Sequence, residues 1–184
     1  MEQKNQIIEE AIKLFKESGV KFTMDELSRG LGISKKTIYK YYTDKEELLC
    51  DMVEYVFDRI KRAEAESYAL EMSTADRIRG VLGAFPEILE GFDYNELSEN
   101  SQKYPKAAAL ISKRLSGGWE RTRELLNQGM EEGIVRNVNL DIFQLMYEAS
   151  MEKFLFTDSL KKMHVNNKSA LMTMVDIMLE GVLV

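Results

Sequence analysis

The chain has 184 residues, of which 45% are apolar, and this is enough for the core of one or two small globular domains. Its single cysteine excludes an internal disulfide and suits a reducing cytosol. No apolar run approaches the about 20 residues that a membrane span needs, so we expect a cytoplasmic protein with no membrane segment.

The sequence predicts an all-α fold, because only two prolines interrupt it and no hairpin-type Asn-Gly or Asp-Gly turn occurs. Apolar residues recur at helical spacing from Ile8 to Phe15, which predicts a first helix over about residues 3 to 18. We expect a three-helix head, a long fourth helix and a helical body, with about nine helices in all.

The second and third helices are short and carry strong boundary signals. Thr23 and Glu26 have the spacing of a capping box at the start of the second helix. Gly32 supplies the sharp turn that ends this helix. Ser34 then caps a third helix, which runs to about Tyr41.

Positive charge is concentrated in this stretch, although the net charge of the whole chain is −6. Between positions 29 and 45 there are five basic residues and one acidic residue. A local basic face on an acidic body is what contact with phosphate requires, whereas the same residues could also be an ordinary solvated charge run.

Thr43 and Glu46 predict a second capping box, and the fourth helix then has no breaker from Lys45 to about Tyr68. We interpret this helix as a strut. It joins a helix-turn-helix DNA-binding domain, residues 1–46, to a helical effector-binding and dimerisation domain, residues 47–184.

The body begins with a helix from Ser73 or Thr74 to about Gly91, bent or split by Pro86. We expect residues 93 to 103 to be polar and irregular. A long helix should follow over about 105 to 133, with a possible kink at its Gly-Gly pair.

The last two helices, about 139 to 158 and 168 to 183, flank a polar loop over 161 to 167 and are unusually apolar. A helix that is apolar on several sides must be buried on several sides, and a second subunit is one source of such burial. A single central core helix is the alternative. The expected homodimer interface comprises Phe143, Met146, Phe154, Leu171, Met174, Val175, Met178, Leu179 and Val182.

The N-terminal motifs resemble those of the tetracycline-repressor (TetR) family of bacterial transcriptional regulators, over about residues 5 to 55. The matching residues are Ile8, Ala11, Phe15, Gly19, Phe22-Thr23, Leu27-Ser28, Leu31-Gly32-Ile33-Ser34, Thr37-Ile38-Tyr39, Tyr42 and Asp44-Lys45-Glu46-Glu47-Leu48. Tyr42 falls where the family usually has a buried Phe. The sequence departs from the family at Ser28, where Ala is usual, and at Lys36, where Gly is common. Lys36 could therefore alter base preference.

The expected DNA contacts come from two sources. The polar face of the third helix presents Lys35, Lys36, Thr37, Tyr39 and Lys40, and Ser34 lies at a helix start whose free N–H groups attract phosphate. The resemblance also places Thr23, Tyr41 and Lys45 at contact positions. For Tyr39 and Tyr41 the alternative to DNA contact is aromatic packing. For Lys45 the alternative is an ordinary solvated lysine.

The sequence predicts a repressor that binds palindromic double-stranded DNA as a homodimer and is released by a small apolar or amphipathic effector. No cofactor or metal is expected. An apolar pocket in the body could hold the effector, with plain core as the alternative for each lining residue. The expected lining residues are Phe85, Leu89, Trp119, Phe143, Tyr147 and Met151.

Two other classes of function compete with this one. An enzyme is disfavoured, because His164 is the only histidine and no Cys–His or Ser–His arrangement accompanies it. The second alternative keeps the DNA-binding head, as a regulator or an activator, but lets the body bind a protein partner in place of a small molecule.

Overall fold

The computed structural model describes residues 2–184 and confirms the all-α fold. The helices are α1 (Glu2–Ser18), α2 (Met24–Leu31), α3 (Lys35–Ile38), α4 (Lys45–Ala69), α5 (Thr74–Leu82), α6 (Tyr94–Glu99), α7 (Pro105–Leu115), α8 (Glu120–Glu131), α9 (Leu140–Leu155), α10 (Ser159–Lys162) and α11 (Asn167–Glu180). Two short 3-10 helices, Gly19–Lys21 and Glu87–Leu89, lie between them. Over residues 2–184 no helix combines the length and apolar character that crossing a membrane requires.

The chain packs as two compact units. The first comprises the residues up to Asp58 together with Gly91–Lys113, and the second comprises Arg59–Glu90 together with Arg114–Val184. Helix α4 contributes to both units. The division of functions between residues 46 and 47 stays a prediction.

The first unit is built on the buried face of α1. Ile7, Ala11 and Phe15 on that face are almost fully buried, and α1 packs against α2. The ring of Phe15 stacks on that of Phe92 with 4.5 Å between centroids. The segment that contains Phe92 therefore completes the core of the helix-turn-helix head.

The expectation that residues 93 to 103 are irregular was wrong. They contain α6, which begins where the Asp93 carboxylate accepts a hydrogen bond from the backbone N–H of Asn95 at 3.1 Å. Tyr94 and Leu97 on α6 are buried in the first unit. Because α6 is only six residues long, its buried residues do not repeat often enough to produce a periodic sequence signal.

The cap of α4 lies one residue later than the sequence indicated. The Asp44 carboxylate accepts from the backbone N–H of Glu47 at 2.8 Å, and the Glu47 carboxylate accepts from Thr43. Glu46 instead accepts a hydrogen bond from the backbone N–H of Lys106 at 2.8 Å, in the first turn of α7. Aspartate is a strong N-cap, and it competes here with the threonine before it.

The second unit has a core shared by α5, α8, α9 and α11. Helix α5 packs mainly against α8, and Ile78, Leu125, Val175 and Leu179 are almost fully buried between these helices. Gly129 on α8 must be small, because an added Cβ would lie 2.7 Å from the Cγ2 of Val135.

Two predicted helices are split. The helix expected to reach Gly91 ends at Leu82, and Gly83 follows it three residues before Pro86. The long helix expected from 105 to 133 becomes α7 and α8, separated at Gly118, whose φ is +76°. In the loop expected over 161 to 167, α10 extends to Lys162 and α11 begins at Asn167.

Candidate nucleic-acid interface and body site

Local hydrogen bonds fix the start of α2. The backbone N–H of Thr23 donates to the Glu26 carboxylate at 2.7 Å, and the N–H of Glu26 donates to the Thr23 hydroxyl at 3.2 Å. The predicted capping box is therefore confirmed. These bonds from the Thr23 backbone and hydroxyl lower the pKa of Glu26, because they favour the ionised carboxylate.

A glycine turn joins α2 to α3. Gly32 has φ of +64°, and its N–H donates to the Arg29 carbonyl at 3.2 Å. The Ser34 hydroxyl then accepts from the backbone N–H of Thr37 at 3.1 Å. Ile38 is fully buried, so the opposite face of α3 points away from the core.

The third helix ends earlier than predicted. It spans Lys35–Ile38, and a hydrogen-bonded turn carries the chain to Tyr41, whose N–H donates to the Ile38 carbonyl at 2.9 Å. Tyr42 is buried in the first unit, as the resemblance predicts for this position.

Most predicted DNA-contact residues lie at the surface. Thr37 is half-buried, and the exposed ones are Thr23, Ser34, Lys35, Lys36, Tyr39, Lys40 and Tyr41. Lys35 pairs with Asp25 on α2. The Tyr41 hydroxyl donates to the Gln3 side chain at 2.9 Å, which brings the start of α1 to this surface. Sequence reasoning missed Gln3, because a polar residue in the first turn of an amphipathic helix carries no distinguishing signal.

Lys45 differs from the other predicted contacts. It is half-buried, and its ammonium donates to the backbone carbonyls of Val20, at 2.6 Å, and Phe22. DNA contact by Lys45 stays a prediction that these internal bonds do not favour.

In the second unit, the predicted pocket residues surround one cluster. Phe85, Trp119, Tyr147 and Met151 are partly buried against the core that contains Phe143. The rings of Trp119 and Tyr147 meet edge to face at 5.2 Å, and the Tyr147 hydroxyl donates to the Leu82 carbonyl at 2.7 Å. Burial raises the pKa of Tyr147. The remaining predicted residue, Leu89, is buried.

Glu64 is a polar group near this cluster that sequence reasoning missed. Burial raises the pKa of its carboxyl group, while the Lys61 ammonium at 2.7 Å acts in the opposite direction. Its negative charge in turn contributes to the raised pKa of Tyr147. A signal was available, because Glu64 follows Phe57 and Ile60 at helical spacing on the apolar stripe of α4.

An open apolar groove of about 440 Å³ lies along α9 and α11. Its lining residues are Val138, Asn139, Ile142, Phe143, Met146, Ile177, Met178, Gly181 and Val182. Ile142, Met146 and Ile177 are each more than half exposed. Large exposed apolar patches on one surface commonly mark an interaction site.

The residues predicted for the dimer interface divide into a groove set and a buried set, with Phe154 in neither. Met146 lies in the groove and is exposed, and Phe143, Met178 and Val182 also line the groove. The buried set, Leu171, Met174, Val175 and Leu179, belongs to the core of the second unit. Phe154 packs against this core and is partly buried.

Two capped helices, a glycine turn and an exposed row of lysines define a helix-turn-helix DNA-binding regulator. The model of bacterial regulatory proteins of the tetR family matches residues 7–52. The N-terminal head of the chain is therefore of the tetR type.

Comparisons with other transcriptional regulators agree with this match. The chain is 27% identical over 177 residues to the Bacillus subtilis (strain 168) protein named Uncharacterized HTH-type transcriptional regulator YvaF, covering 96% of this chain and 93% of that protein. It is 34% identical over 73 residues to the Staphylococcus epidermidis biofilm operon icaADBC negative regulator IcaR, covering 37% and 40% of the two chains. A TetR regulator from Chloroflexus aurantiacus has the same fold, with a TM-score of 0.74 at 19% identity and coverage of 100% and 98%.

Proposed function

We propose that this regulator is a repressor that binds a palindromic operator as a homodimer and leaves it when a small amphipathic molecule binds the second unit. The observation that carries the DNA-binding part is the row of exposed lysines, Lys35, Lys36 and Lys40, on and directly after a helix whose other face is fully buried. Repression is supported by the name of the IcaR relative, a negative transcriptional regulator.

In this proposal the DNA-contact residues are Thr23, Ser34, Lys35, Lys36, Thr37, Tyr39, Lys40 and Tyr41. Lysine ammonium groups contact phosphates and can also donate to the edges of guanine bases. Because one such helix reads only a few base pairs, we expect two half-sites about 34–36 Å apart, or a multiple of that distance.

Selection of duplexes from a random-sequence library, followed by footprinting, tests this part. We expect an inverted repeat with two protected half-sites. Lys36→Ala should change the preferred bases, whereas Lys13→Ala, on α1, should leave the selected sequence unchanged. Recovery of no preferred sequence, or of a single half-site bound by one chain, would contradict the proposal.

The second copy is proposed to cover the apolar groove along α9 and α11. In a two-fold interface the same patch is used by both chains, so the exposed apolar side chains of one groove face those of the other. The buried core residues of α11 support this groove from beneath, and they do not need a partner for their own burial.

The effector is proposed to bind at the aromatic cluster around Trp119 and Tyr147. The rings and the Met151 thioether suit an apolar group, and the Glu64–Lys61 pair supplies polar groups near the same cluster. A ligand that prefers the DNA-free conformation lowers the affinity for DNA, typically about 5–150-fold. By thermodynamic linkage, bound DNA lowers the affinity for the ligand by the same factor.

Trp119 is the only tryptophan in the chain, so its fluorescence reports on this cluster alone. Fatty acids and alkylammonium ions of matched chain length are suitable probes. We expect one of these series to change the fluorescence and to release the selected duplex, and Tyr147→Ala should weaken both effects. A fluorescence change without any effect on DNA affinity would refute control by this site.

A further inference from the structure

The first residue of α4 is bonded to the interior of the head. The Lys45 ammonium donates to the carbonyls of Val20, at 2.6 Å, and of Phe22, and it lies 3.9 Å from the centroid of the Phe22 ring. Two carbonyl bonds and a ring face give this cation a complete set of partners within the head. A contact with phosphate would require it to leave them.

These two carbonyls belong to the short connection between α1 and α2. Val20 and Phe22 are buried, and Thr23, which follows directly, caps α2. Buried carbonyl groups need hydrogen-bond partners, and Lys45 supplies a partner for both. Fixing this connection therefore also fixes where α2 begins.

Other groups face Lys45 from the elements packed around it. The ring of Tyr104, directly before α7, lies 5.9 Å from the ammonium. Glu26 of the α2 capping box attracts the charge, and Lys103 repels it. The next residue, Glu46, binds the first turn of α7, so the first turn of α4 contacts both the α1–α2 connection and α7.

Holding a cation here has a measurable cost. Burial, followed by the repulsion from Lys103, lowers the pKa of Lys45 to about 8. A lysine that lay in solvent and contacted DNA phosphate would have no such desolvation cost.

We propose that Lys45 is a positioning residue, whose ammonium holds the α1–α2 connection against the start of α4 and so orients the helix-turn-helix for DNA. This inference rests on the proposed DNA binding, but it assigns Lys45 a role different from contact with phosphate. Its tests use the duplex selected with the wild-type protein. If the wild-type protein selects no duplex, DNA binding itself is refuted, and this outcome is distinct from failure of the role proposed for Lys45.

Salt dependence separates the two roles. Each lysine that neutralises a phosphate adds about 0.9 to the slope of log affinity against log salt. A positioning residue adds nothing to this slope, because it releases no counterions from DNA. Lys45→Met should therefore reduce affinity for the selected duplex about tenfold or more while leaving the slope unchanged.

Lys45→Arg provides the second test. It keeps the charge and would serve a phosphate contact at least as well, because a guanidinium can donate two parallel bonds. The guanidinium is larger than an ammonium, however, and we expect that it cannot bond both the Val20 and the Phe22 carbonyls as the ammonium does. We expect Lys45→Arg to lower the affinity, again at constant salt slope.

Lys13→Met is the matched control, because Lys13 is an exposed lysine of the same unit that pairs with Glu10 at 3.5 Å. All affinities are compared at a temperature at which circular dichroism shows each variant to be fully folded. A general loss of stability then leaves the affinity unchanged, whereas a misplaced helix-turn-helix lowers the ratio of specific to non-specific affinity.

The proposal is overturned if Lys45→Met lowers the salt slope by about 0.9, or if either variant retains wild-type affinity. If Lys45→Met does not fold, the arginine variant decides alone: reduced affinity at unchanged slope supports positioning, and undiminished affinity overturns it.

Discussion

Met146→Glu tests whether the groove along α9 and α11 is covered by a second copy. Met146 is 57% exposed in the single chain, and its neighbour Ile142 is 53% exposed. Burying the exposed half of a methionine side chain contributes about 1 kcal/mol. A two-fold interface contains the substitution twice, so the loss is at least about 2 kcal/mol, or about 30-fold in the dimer dissociation constant. Burial of two unpaired carboxylates increases this loss further.

The folded single chain should tolerate the same change. Glutamate and methionine have similar helix propensities, and the side chain already lies at the surface. Sedimentation equilibrium measures the dissociation constant, and thermal unfolding measures the stability of each variant. Met163→Glu is the matched control, because Met163 is 67% exposed and lies outside the groove. A dissociation constant for Met146→Glu equal to that of the control would refute the groove as the interface.

Four further predictions concern single residues. Thr23→Ala removes the hydroxyl cap of α2 and should lower the free energy of unfolding by about 1 kcal/mol, as measured by urea denaturation; an unchanged midpoint would contradict the capping role. Phe92→Ala should cost about 3–5 kcal/mol in the same assay, and a cost below about 1 kcal/mol would show that the stacking on Phe15 is not part of the head core. Tyr147→Phe leaves the Leu82 carbonyl without its donor and should cost about 1–3 kcal/mol, detected as a lower melting temperature. The folded protein lowers the pKa of Lys45 to about 8, against 10.5 for the free side chain. Between these two pH values the unfolded chain binds more protons than the folded chain, so the free energy of unfolding should rise with pH. Lys45→Met should abolish this rise.

The head was the most predictable part of the chain, because its boundaries depend on local chemistry. A capping box such as Thr23–Glu26 and a glycine at positive φ such as Gly32 act within four residues, so a single sequence contains all the information needed. The cap of α4 was displaced by one residue because Asp44 and Thr43 are both suitable caps. Only the packing of Glu46 against α7 distinguishes the two possibilities.

The body was less predictable, because its features depend on distant partners. Leu171 and Met146 both lie on apolar stripes, yet the first is buried in the core and the second lines an open groove. Periodicity indicates that a face is apolar, but it does not indicate which neighbour covers that face. Glu64 differs in this respect, because its place on the apolar stripe of α4 could be read from the sequence, although its burial could not.

The role of Lys45 illustrates the limit of assigning function by motif position. The resemblance to the tetR family predicts a phosphate contact for Lys45 from its place in the motif. The same place puts its long side chain within reach of the α1–α2 connection, where its ammonium donates to the Val20 and Phe22 carbonyls. An internal carbonyl is available in every state of the protein, whereas a phosphate is available only on DNA. The free protein should therefore already hold the start of α2 in the orientation that DNA requires, and Lys45 contributes to affinity by reducing the reorganisation needed on binding.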